Sequence, residues 1–356
     1  MLPANPKLST GLPSLDRVLK GILAGDNVVW QVDHVGDYIP FVEPYCRHAT
    51  ACGTPLVYFR FAKHPPLVAG HPGIDVRVLH PEAGFETFIG EVRQTIRDKG
   101  RGAFYVFDCL SDLAVDWYSD QMLGNFFMLT CPYLLDMETV AYFAILRGTH
   151  STQATSAIAD TTQLLLDVLR YQDRLYVHPL KVQHRHSPTM HMLHVWEGDE
   201  FHPVRQSAVI SEVQTGIAWP QLDSMNYQLG VWNRTFLEAI EVTDPVNADR
   251  CSLEHAAQLT QRLLRMVVSR DERILRLAER YLGLPDVLEI GKRMIGTGLI
   301  GGKSVGMLLA RAILRQSGAR WAEVLEPHDS FYIGSDVFYT YLVRNGVWWV
   351  REKQRD

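Results

Sequence analysis

The residues best suited to binding a phosphate lie near the end of the chain, at Gly301, Gly302, Lys303 and Ser304. The last three are the closing residues of a P-loop, whose backbone N–H groups and lysine hold nucleotide phosphates. A P-loop also needs a glycine where this chain has Thr297, and a buried strand where residues 287–294 have helical periodicity. Three interpretations therefore remain open: an altered P-loop, a glycine-rich helix start without a ligand, and a different phosphate-binding loop.

The glycines around this segment are too frequent for an ordinary helix start. They stand at positions 296, 298, 301, 302 and 306, and each one adds to the backbone entropy that the chain loses on folding. A helix cap alone does not require them. The pattern therefore favours a loop with a purpose, in which backbone N–H groups and the Lys303 ammonium face phosphate oxygens.

The elements that must position any site in the first half of the chain follow an alternating pattern. Near-continuous apolar runs cover residues 27–32, 56–61, 76–79, 103–108 and 140–146. Helices are predicted between them, at 40–51, 84–98 and around 118–130. Such runs between helices are typical of a parallel sheet that is covered on both faces.

The pattern changes after residue 161. Shorter runs at 163–168, 174–183 and 190–195, with a turn at 197–199, predict antiparallel hairpins on the edge of the same sheet. Residues 206–290 are predicted to be mostly helical, with an amphipathic stretch at 253–281 that indicates a connector.

Composition excludes several classes of protein. The 356 residues are 47% hydrophobic and 21% charged, which is typical of a globular chain long enough for two domains. A net charge of -5 and a pI of about 6.3 argue against nucleic acid and anionic membranes as partners. No apolar run reaches the roughly 18 residues of a membrane helix, and none of the five cysteines forms a CxxC pair. We predict a soluble, cytoplasmic protein with reduced thiols.

Histidines are concentrated between residues 178 and 202, where six occur. Zinc would need three or four of them to converge. Because side chains on a strand alternate between its two faces, these histidines are expected to scatter. Histidines of edge strands are therefore the favoured interpretation, and we predict no metal site.

The opening segment carries a recognisable pattern, since residues 9–21 have the sequence STGLPSLDRVLKG and precede a predicted strand. It resembles the TGxxxLDxxLxGG segment of RecA-like ATPases of the circadian-clock KaiC type. The resemblance covers residues 8–205 in the order of elements. It implies a RecA-like domain, in which the first strand leads into a GxxxxGK[ST] loop.

The residues that would perform ATPase chemistry are replaced in this chain. Residues 33–40, which follow the first strand, have the sequence DHVGDYIP and contain no lysine. Asp33 and Asp37 stand where a polyphosphate would bind, and each carboxylate is expected to repel it by about 1 to 4 kcal/mol. Where the family has a catalytic Glu-Glu pair, this chain has Ala62 and Lys63. The resemblance therefore implies a pseudo-ATPase.

One acidic residue of the ATPase pattern is retained. Residues 103–108 resemble a Walker B strand and end at Asp108, which could hold Mg²⁺ through water. The alternative is a strand-end carboxylate that caps a turn. The sequence favours the second interpretation because the phosphate-binding loop is missing.

The glycine-rich segment near the end of the chain also has a family resemblance. Residues 301–309, GGKSVGMLL, resemble the GGKxxxL segment that opens the nucleotide-binding domain of phosphoenolpyruvate synthases and pyruvate phosphate dikinases. Residues 331–342 fit that family's following strand and helix, of the type GFxxTxxAFxxFL. The resemblance covers residues 291–356 and implies that Gly301, Gly302, Lys303 and Ser304 bind ATP with Mg²⁺.

These patterns together predict an α/β protein: a RecA-like, mainly parallel sheet with helices on both faces and an antiparallel edge, then a helical connector and a partial ATP-grasp-type lobe. The predicted domains are residues 1–205, 206–290 and 291–356. The resemblance implies ATP-dependent phosphoryl transfer only with later dikinase domains, which lie beyond Asp356 or in a separate partner protein. The alternative is a non-enzymatic regulatory or scaffolding pseudo-ATPase that forms homo-oligomers. A working ATPase is the least favoured hypothesis.

Overall fold

The computed structural model describes residues 8–68, 70, 72–216, 230–243, 252–326 and 329–353. The chain divides into two compact units. The first unit comprises residues 1–116 and 123–228, and the second comprises residues 117–122 and 229–356. The domain boundaries expected at 205 and 290 stay predictions.

A large mixed sheet forms the centre of the first unit. Its order, over the described residues, is β3-β2-β4-β5-β1-β6-β7-β8-β9. The strands are β1 (Asn27–Val32), β2 (Leu56–Arg60), β3 (Ile74–Val78), β4 (Phe104–Cys109), β5 (Val140–Leu146), β6 (Leu164–Tyr171), β7 (Arg174–Val182), β8 (His194–Glu197) and β9 (Glu200–Pro203). Strands β1 to β6 pair in parallel, and β6 to β9 pair antiparallel. The predicted mainly parallel sheet with an antiparallel edge is confirmed.

Helices connect and flank these strands. They are α1 (Pro13–Leu19), α2 (Ile39–Ala51), α3 (Phe85–Lys99), α4 (Ser111–Trp117), α5 (Asp120–Asp136), α6 (Thr152–Thr161) and α7 (Ser207–Gly216). The helix predicted around 118–130 is present as α5, and the short helix α4 that precedes it was not predicted. The strand predicted at 190–195 begins only at His194, and its hairpin turns at residues 198–199 as expected.

The core of the first unit is unusually aromatic. Trp30 of β1 stacks on Phe41 of α2 at 4.2 Å between ring centroids, and Tyr45 of α2 stacks on Tyr142 of β5 at 3.9 Å. All four side chains are at most 1% exposed. Burial of such large rings on a strand surface stabilises the parallel sheet and fixes α2 against it.

The opening Thr-Gly motif has a structural role in this unit. The carboxylate of Asp16 in α1 accepts hydrogen bonds from the backbone N–H and the hydroxyl of Thr10, at 2.9 and 2.8 Å. Gly11 has a positive φ of 77°, and a Cβ there would lie 2.1 Å from the carbonyl oxygen of Pro44. Only glycine allows the chain to pass α2 this closely.

The second unit consists mostly of helices over its described residues. They are α8 (Val231–Thr243), α9 (Leu253–Val267), α10 (Glu272–Tyr281), α11 (Leu284–Lys292), α12 (Gly302–Ser317), α13 (Ala319–Val324), α14 (Ser335–Arg344) and α15 (Trp348–Lys353). The amphipathic stretch predicted at 253–281 is broken into α9 and α10, because Asp271 caps a new helix by accepting from the N–H groups of Arg273 and Ile274.

A short sheet accompanies these helices. Strand β10 (Met294–Ile295) pairs in parallel with β11 (Tyr332–Ile333). The unit buries an aliphatic core to which α9 to α12 all contribute, with Leu263, Val267, Val287 and Leu309 at most 4% exposed. Among the described residues, no helix is long and apolar enough to cross a membrane.

Candidate functional site

A tight turn precedes the predicted phosphate loop, and its glycines are required by the fold. Gly296 and Gly298 have φ values of 80° and 86°, which side chains other than glycine rarely adopt. Between them, Thr297 donates its backbone N–H and its hydroxyl to Asp336 of α14, at 2.8 and 2.7 Å. A Cβ on Gly334 would lie 2.3 Å from the Thr297 carbonyl oxygen. Three glycines therefore allow two backbone segments to touch.

Asp336 holds this turn as a buried acceptor. Its side chain is 6% exposed and also accepts the backbone N–H of Val337 at 2.7 Å. Burial raises the pKa of Asp336, and the hydrogen bonds from Thr297 oppose that shift. Thr297, which stands where a P-loop has glycine, is thus held by Asp336 and has a structural role.

Gly301 and Gly302 differ from these glycines because the fold does not require them. Gly301 is the N-cap of α12 with an ordinary φ of -63°. A Cβ on either residue would meet nothing within 4 Å, and both residues are exposed. Their lack of side chains leaves the backbone at the start of α12 open to close approach by a ligand.

The start of α12 has the electrostatics of an anion site. The first N–H groups of a helix have no acceptor within the helix, and the N-cap Gly301 has no side chain to accept them. Lys303 is exposed in the first turn, which contains no acidic residue, and Ser304 is half-buried beside it. The four predicted site residues are therefore brought together at one helix end.

The structure argues against one of the three interpretations of residues 301–304, the altered P-loop. Residues 284–292 are helical, as expected, and the strand that follows, β10, has only two residues, with Ile295 52% exposed. A P-loop follows a buried strand, so this geometry does not match a P-loop. A helix start and a different phosphate loop both remain compatible with it.

In the first unit, the loop that follows β1, residues 33–40, is occupied by ion pairs. Asp33, which follows β1, accepts from Arg147 Nε at 2.8 Å, and Arg147 also pairs with Asp167 of β6. A further amino group of Arg147 donates to the Val168 carbonyl at 2.7 Å. Burial disfavours the charge of Arg147, but the carboxylates of Asp167 and Asp33 outweigh it and raise its pKa. Arg147 is fully engaged within the protein.

Asp37 is paired in the same way. It lies in a short 3-10 turn, Val35–Asp37, before α2, where its side chain is 4% exposed and accepts from Arg170 Nε at 2.7 Å. The expected repulsion of polyphosphate by Asp33 and Asp37 therefore needs correction, since arginines neutralise both carboxylates. What opposes phosphate binding is that these ion pairs occupy the loop and leave no cation available.

Asp108, the predicted Walker B acid, is completely buried. It accepts hydrogen bonds from the Tyr58 hydroxyl and from Arg60, and from the backbone N–H groups of Phe61 and Ala62 at 2.8 and 2.9 Å. Burial, followed by the hydrogen bond to Asp108, raises the pKa of Tyr58. This geometry matches the turn-capping alternative rather than a Mg²⁺ ligand.

The loop after β2 is fixed by two carboxylates, those of Asp108 at the end of β4 and Asp112 in α4. Lys63, which follows Ala62 in this loop, is exposed, and its backbone N–H donates to Asp112 at 3.1 Å. Neither Ala62 nor Lys63 offers a base that could activate water.

Several charged partners were not found by sequence reasoning. Arg60, Arg147 and Arg170 were not singled out, because their carboxylate partners lie 48, 114 and 133 residues away along the chain. The same holds for a buried pair in which the Ser111 hydroxyl lies 2.7 Å from His150 Nε2. Only the predicted convergence of parallel strand ends could have indicated such contacts.

Histidines and cysteines take structural positions in the described part of the chain. His178 Nε2 lies 3.2 Å from the His191 carbonyl oxygen, and no group of three or more His, Cys, Asp or Glu residues is placed to hold a metal ion there. Burial raises the pKa of the Cys109 thiol to about 12. Cys251 lies outside the described residues.

Comparisons with known proteins add no assignment to this geometry. The sequence matches no protein-family model, and no curated protein is significantly similar to it. Functional conclusions therefore depend on the sites themselves.

Proposed function

We propose that the second unit binds ATP with Mg²⁺ at the start of α12, as the nucleotide-binding lobe of a phosphoenolpyruvate synthase-like protein. The observation that supports this most is the exposed pair Gly301 and Gly302, which no contact or backbone conformation in the fold requires. They precede Lys303 at the positive end of a 16-residue helix. Bare N–H groups beside an ammonium are suited to phosphate oxygens.

The chain's own residues would bind and orient the nucleotide. The first N–H groups of α12 and the Lys303 ammonium would hold phosphate oxygens, and Ser304 would add a hydroxyl in the same turn. Mg²⁺ would enter with the nucleotide, because its octahedral shell is satisfied mainly by phosphate oxygens and water. The turn at Thr297, anchored by Asp336, would keep the helix start in place.

The phosphoenolpyruvate synthase-like assignment also implies further protein around this lobe. Strands β10 and β11, with the residue before β11, expose apolar side chains: Ile295 is 52%, Ile333 60% and Phe331 71% exposed. Parallel strand pairs are normally covered on both faces. We propose that later dikinase domains, or a separate partner protein with that role, cover these side chains and receive the phosphoryl group.

The first unit would then be a RecA-like pseudo-ATPase. The support is that Asp33, Asp37 and Asp108 all accept hydrogen bonds from arginines within the unit. No lysine replaces the P-loop cation in residues 33–40. The fold is used here as a stable surface rather than as a catalyst.

Titration calorimetry of ATP with Mg²⁺ tests the proposed site. Lys303→Gln removes the ammonium and is expected to weaken binding about tenfold or more, since hydrogen bonds from charged donors contribute roughly 1.5 to 3 kcal/mol. Lys292→Gln is the matched control, because that exposed lysine lies in the same unit and pairs only with Glu289 of its own helix. Equal affinities of wild type and Lys303→Gln would remove Lys303 from the site.

A scaffolding function is the second candidate, and an open sheet edge favours it. The edge strand β3 exposes Val76 and Val78, at 52% and 62%. Open edges with apolar side chains can pair with another copy of the chain. Analytical ultracentrifugation of wild type and Val76→Lys tests this: nucleotide-independent association that the lysine abolishes supports the scaffold, and a concentration-independent monomer contradicts it.

A further inference from the structure

A cleft in the second unit lies apart from the start of α12 and has its own set of charges. Its volume is about 370 Å³, within the range of small-molecule sites. One wall is formed by α11 and the residues around it, and the other by the second half of α12. Its lining includes the apolar side chains of Leu282, Ile290 and Leu308 and the guanidinium groups of Arg293, Arg311 and Arg315.

The acidic residues at this cleft are already engaged. Asp286 accepts the backbone N–H of Gly283 at 2.9 Å, at the start of α11. Glu289 accepts from Arg293 Nε at 3.2 Å and lies 3.5 Å from the Lys292 ammonium. Both carboxylates therefore have partners in or next to their own helix: Glu289 is shared by Arg293 and Lys292, and Asp286 accepts a backbone N–H.

Arg311 and Arg315 are not compensated. They lie one turn apart on α12, where like charges repel each other, and neither forms an ion pair with a residue that the structure describes. The hydrogen bond of Arg311 goes to the backbone carbonyl of Glu326 at 2.5 Å, which is neutral. Two guanidinium groups thus line one cleft without an ion pair to either of its carboxylates, Asp286 and Glu289.

We propose that this cleft binds a small organic phosphate, with Arg311 and Arg315 as the ligands of its phosphate group. A phosphate monoester carries close to two negative charges at neutral pH, which matches two guanidinium groups, whereas a carboxylate would leave one uncompensated. Arginine presents paired N–H donors to phosphate oxygens. The apolar side chains of Leu282, Ile290 and Leu308 contact the carbon part of the ligand.

This site is independent of the ATP site at Lys303, and a simple probe pair tests it. Phenyl phosphate carries a ring and a dianion, whereas benzoate carries the same ring and a monoanion. We expect calorimetry on the full chain to show binding of phenyl phosphate and about tenfold weaker binding of benzoate. Absence of measurable phenyl phosphate binding by the wild type would overturn the proposal.

Variants assign the binding to the two arginines. The double variant Arg311→Gln, Arg315→Gln is expected to lose phenyl phosphate affinity about tenfold or more. Arg344→Gln, which removes an exposed arginine of α14, is expected to bind like the wild type. Equal affinity of the double variant and the wild type contradicts the assignment.

Further measurements distinguish a loss of binding at the cleft from misfolding of the variant and from binding at the ATP site. Phenyl phosphate should raise the thermal midpoint of the wild type but not that of the double variant, and Arg315→Lys, which keeps the charge but loses the paired donors, should bind with intermediate affinity. The same double variant should bind ATP like the wild type, because both arginines lie in the second half of α12, away from its start. A wild type that binds phenyl phosphate but not ATP would contradict the ATP site and leave the cleft supported.

Discussion

Two sets of positively charged side chains in this protein have opposite surroundings. In the first unit, Arg60 and Arg147 contact buried or partly buried carboxylates at the ends of the strands. In the second unit, Lys303 is exposed at a helix start, and Arg311 and Arg315 face a cleft without a described carboxylate partner. The first set stabilises the fold, and the second remains available for a ligand.

The difference teaches how charges that stabilise a fold can be distinguished from charges that are available to a ligand. Missing motif residues show only that one mechanism is absent. Ion pairs between carboxylates and arginines at the strand ends show, in addition, that these residues stabilise the fold. Conversely, uncompensated cations are retained against their mutual repulsion, which indicates a ligand more strongly than a motif alone.

The largest expected effect concerns Asp108. Because its carboxylate is fully buried and accepts from Arg60, Tyr58 and two backbone N–H groups, Asp108→Ala would leave buried donors and a charge unsatisfied. We expect a loss of about 3 to 5 kcal/mol in the free energy of unfolding, measured by urea denaturation. Unchanged stability with loss of ATP binding would instead place Asp108 in a ligand site and break the comparison.

A matched pair of arginine variants compares the two regions directly. Arg147→Met leaves Asp33 and Asp167 without their cation and is expected to cost about 2 to 3 kcal/mol, somewhat less than a fully buried pair because Arg147 is 17% exposed. Arg311→Met removes a charge that has no carboxylate partner and is expected to change stability by less than about 0.5 kcal/mol. Equal losses in the two variants, measured by the same urea titration, would remove the distinction.

Asp336 tests the structural part of the second unit. Asp336→Ala leaves the Thr297 backbone N–H without its acceptor and is expected to cost about 1 to 3 kcal/mol. The Thr297 hydroxyl keeps a partner, because it also lies 2.7 Å from Ser119 Oγ. The substitution should also weaken ATP binding, because the turn before α12 loses its anchor. Asp336→Asn keeps a side-chain acceptor and should recover part of both losses. Full ATP affinity in a destabilised Asp336→Ala protein would show that the turn does not position the site.

An exposed pair in the first unit should have the smallest effect. Asp75 is paired with Lys99 at 2.8 Å, and hydrogen bonds from Lys99 and then Arg77 lower the pKa of Asp75 despite some burial. Asp75→Asn is expected to cost at most about 1 kcal/mol at pH 7.

The pH dependence of this effect has a definite sign. A lowered pKa stabilises the folded state above the ordinary Asp range, near pH 4, and this contribution is lost as the pH falls through the folded pKa. The difference between wild type and Asp75→Asn should therefore disappear on acidification. A difference that grows at low pH would contradict the assignment, and a loss as large as that of Arg147→Met would show that pairing, not burial, sets the contribution.

Local patterns predicted much of the first unit. The bounds of β1 and β5 agree with the apolar runs, and those of α2 and α3 differ by one residue, because these elements depend on near-continuous burial or a 3.6-residue period. Prediction was less accurate at the short helix α4, which was not foreseen, and where Asp271 starts a new helix inside one amphipathic stretch.

The candidate sites show the same difference between what local sequence predicts and what tertiary contacts decide. The grouping of Gly301, Gly302, Lys303 and Ser304 follows from their adjacency in the chain. The cleft with Arg311 and Arg315 was not foreseen, since periodicity places two arginines on one helix face but does not show that carboxylates nearby are already engaged.

The sequence by itself determined the alternation of strands and helices, the absence of lysine from residues 33–40 and the position of the glycine-rich segment, because each depends on neighbouring residues. Only the tertiary structure decided which glycines are needed for close packing and which are left bare, and which carboxylates are paired. The physical reason is that burial and charge compensation depend on contacts between residues far apart in the chain, as with Asp37 and Arg170, 133 residues apart.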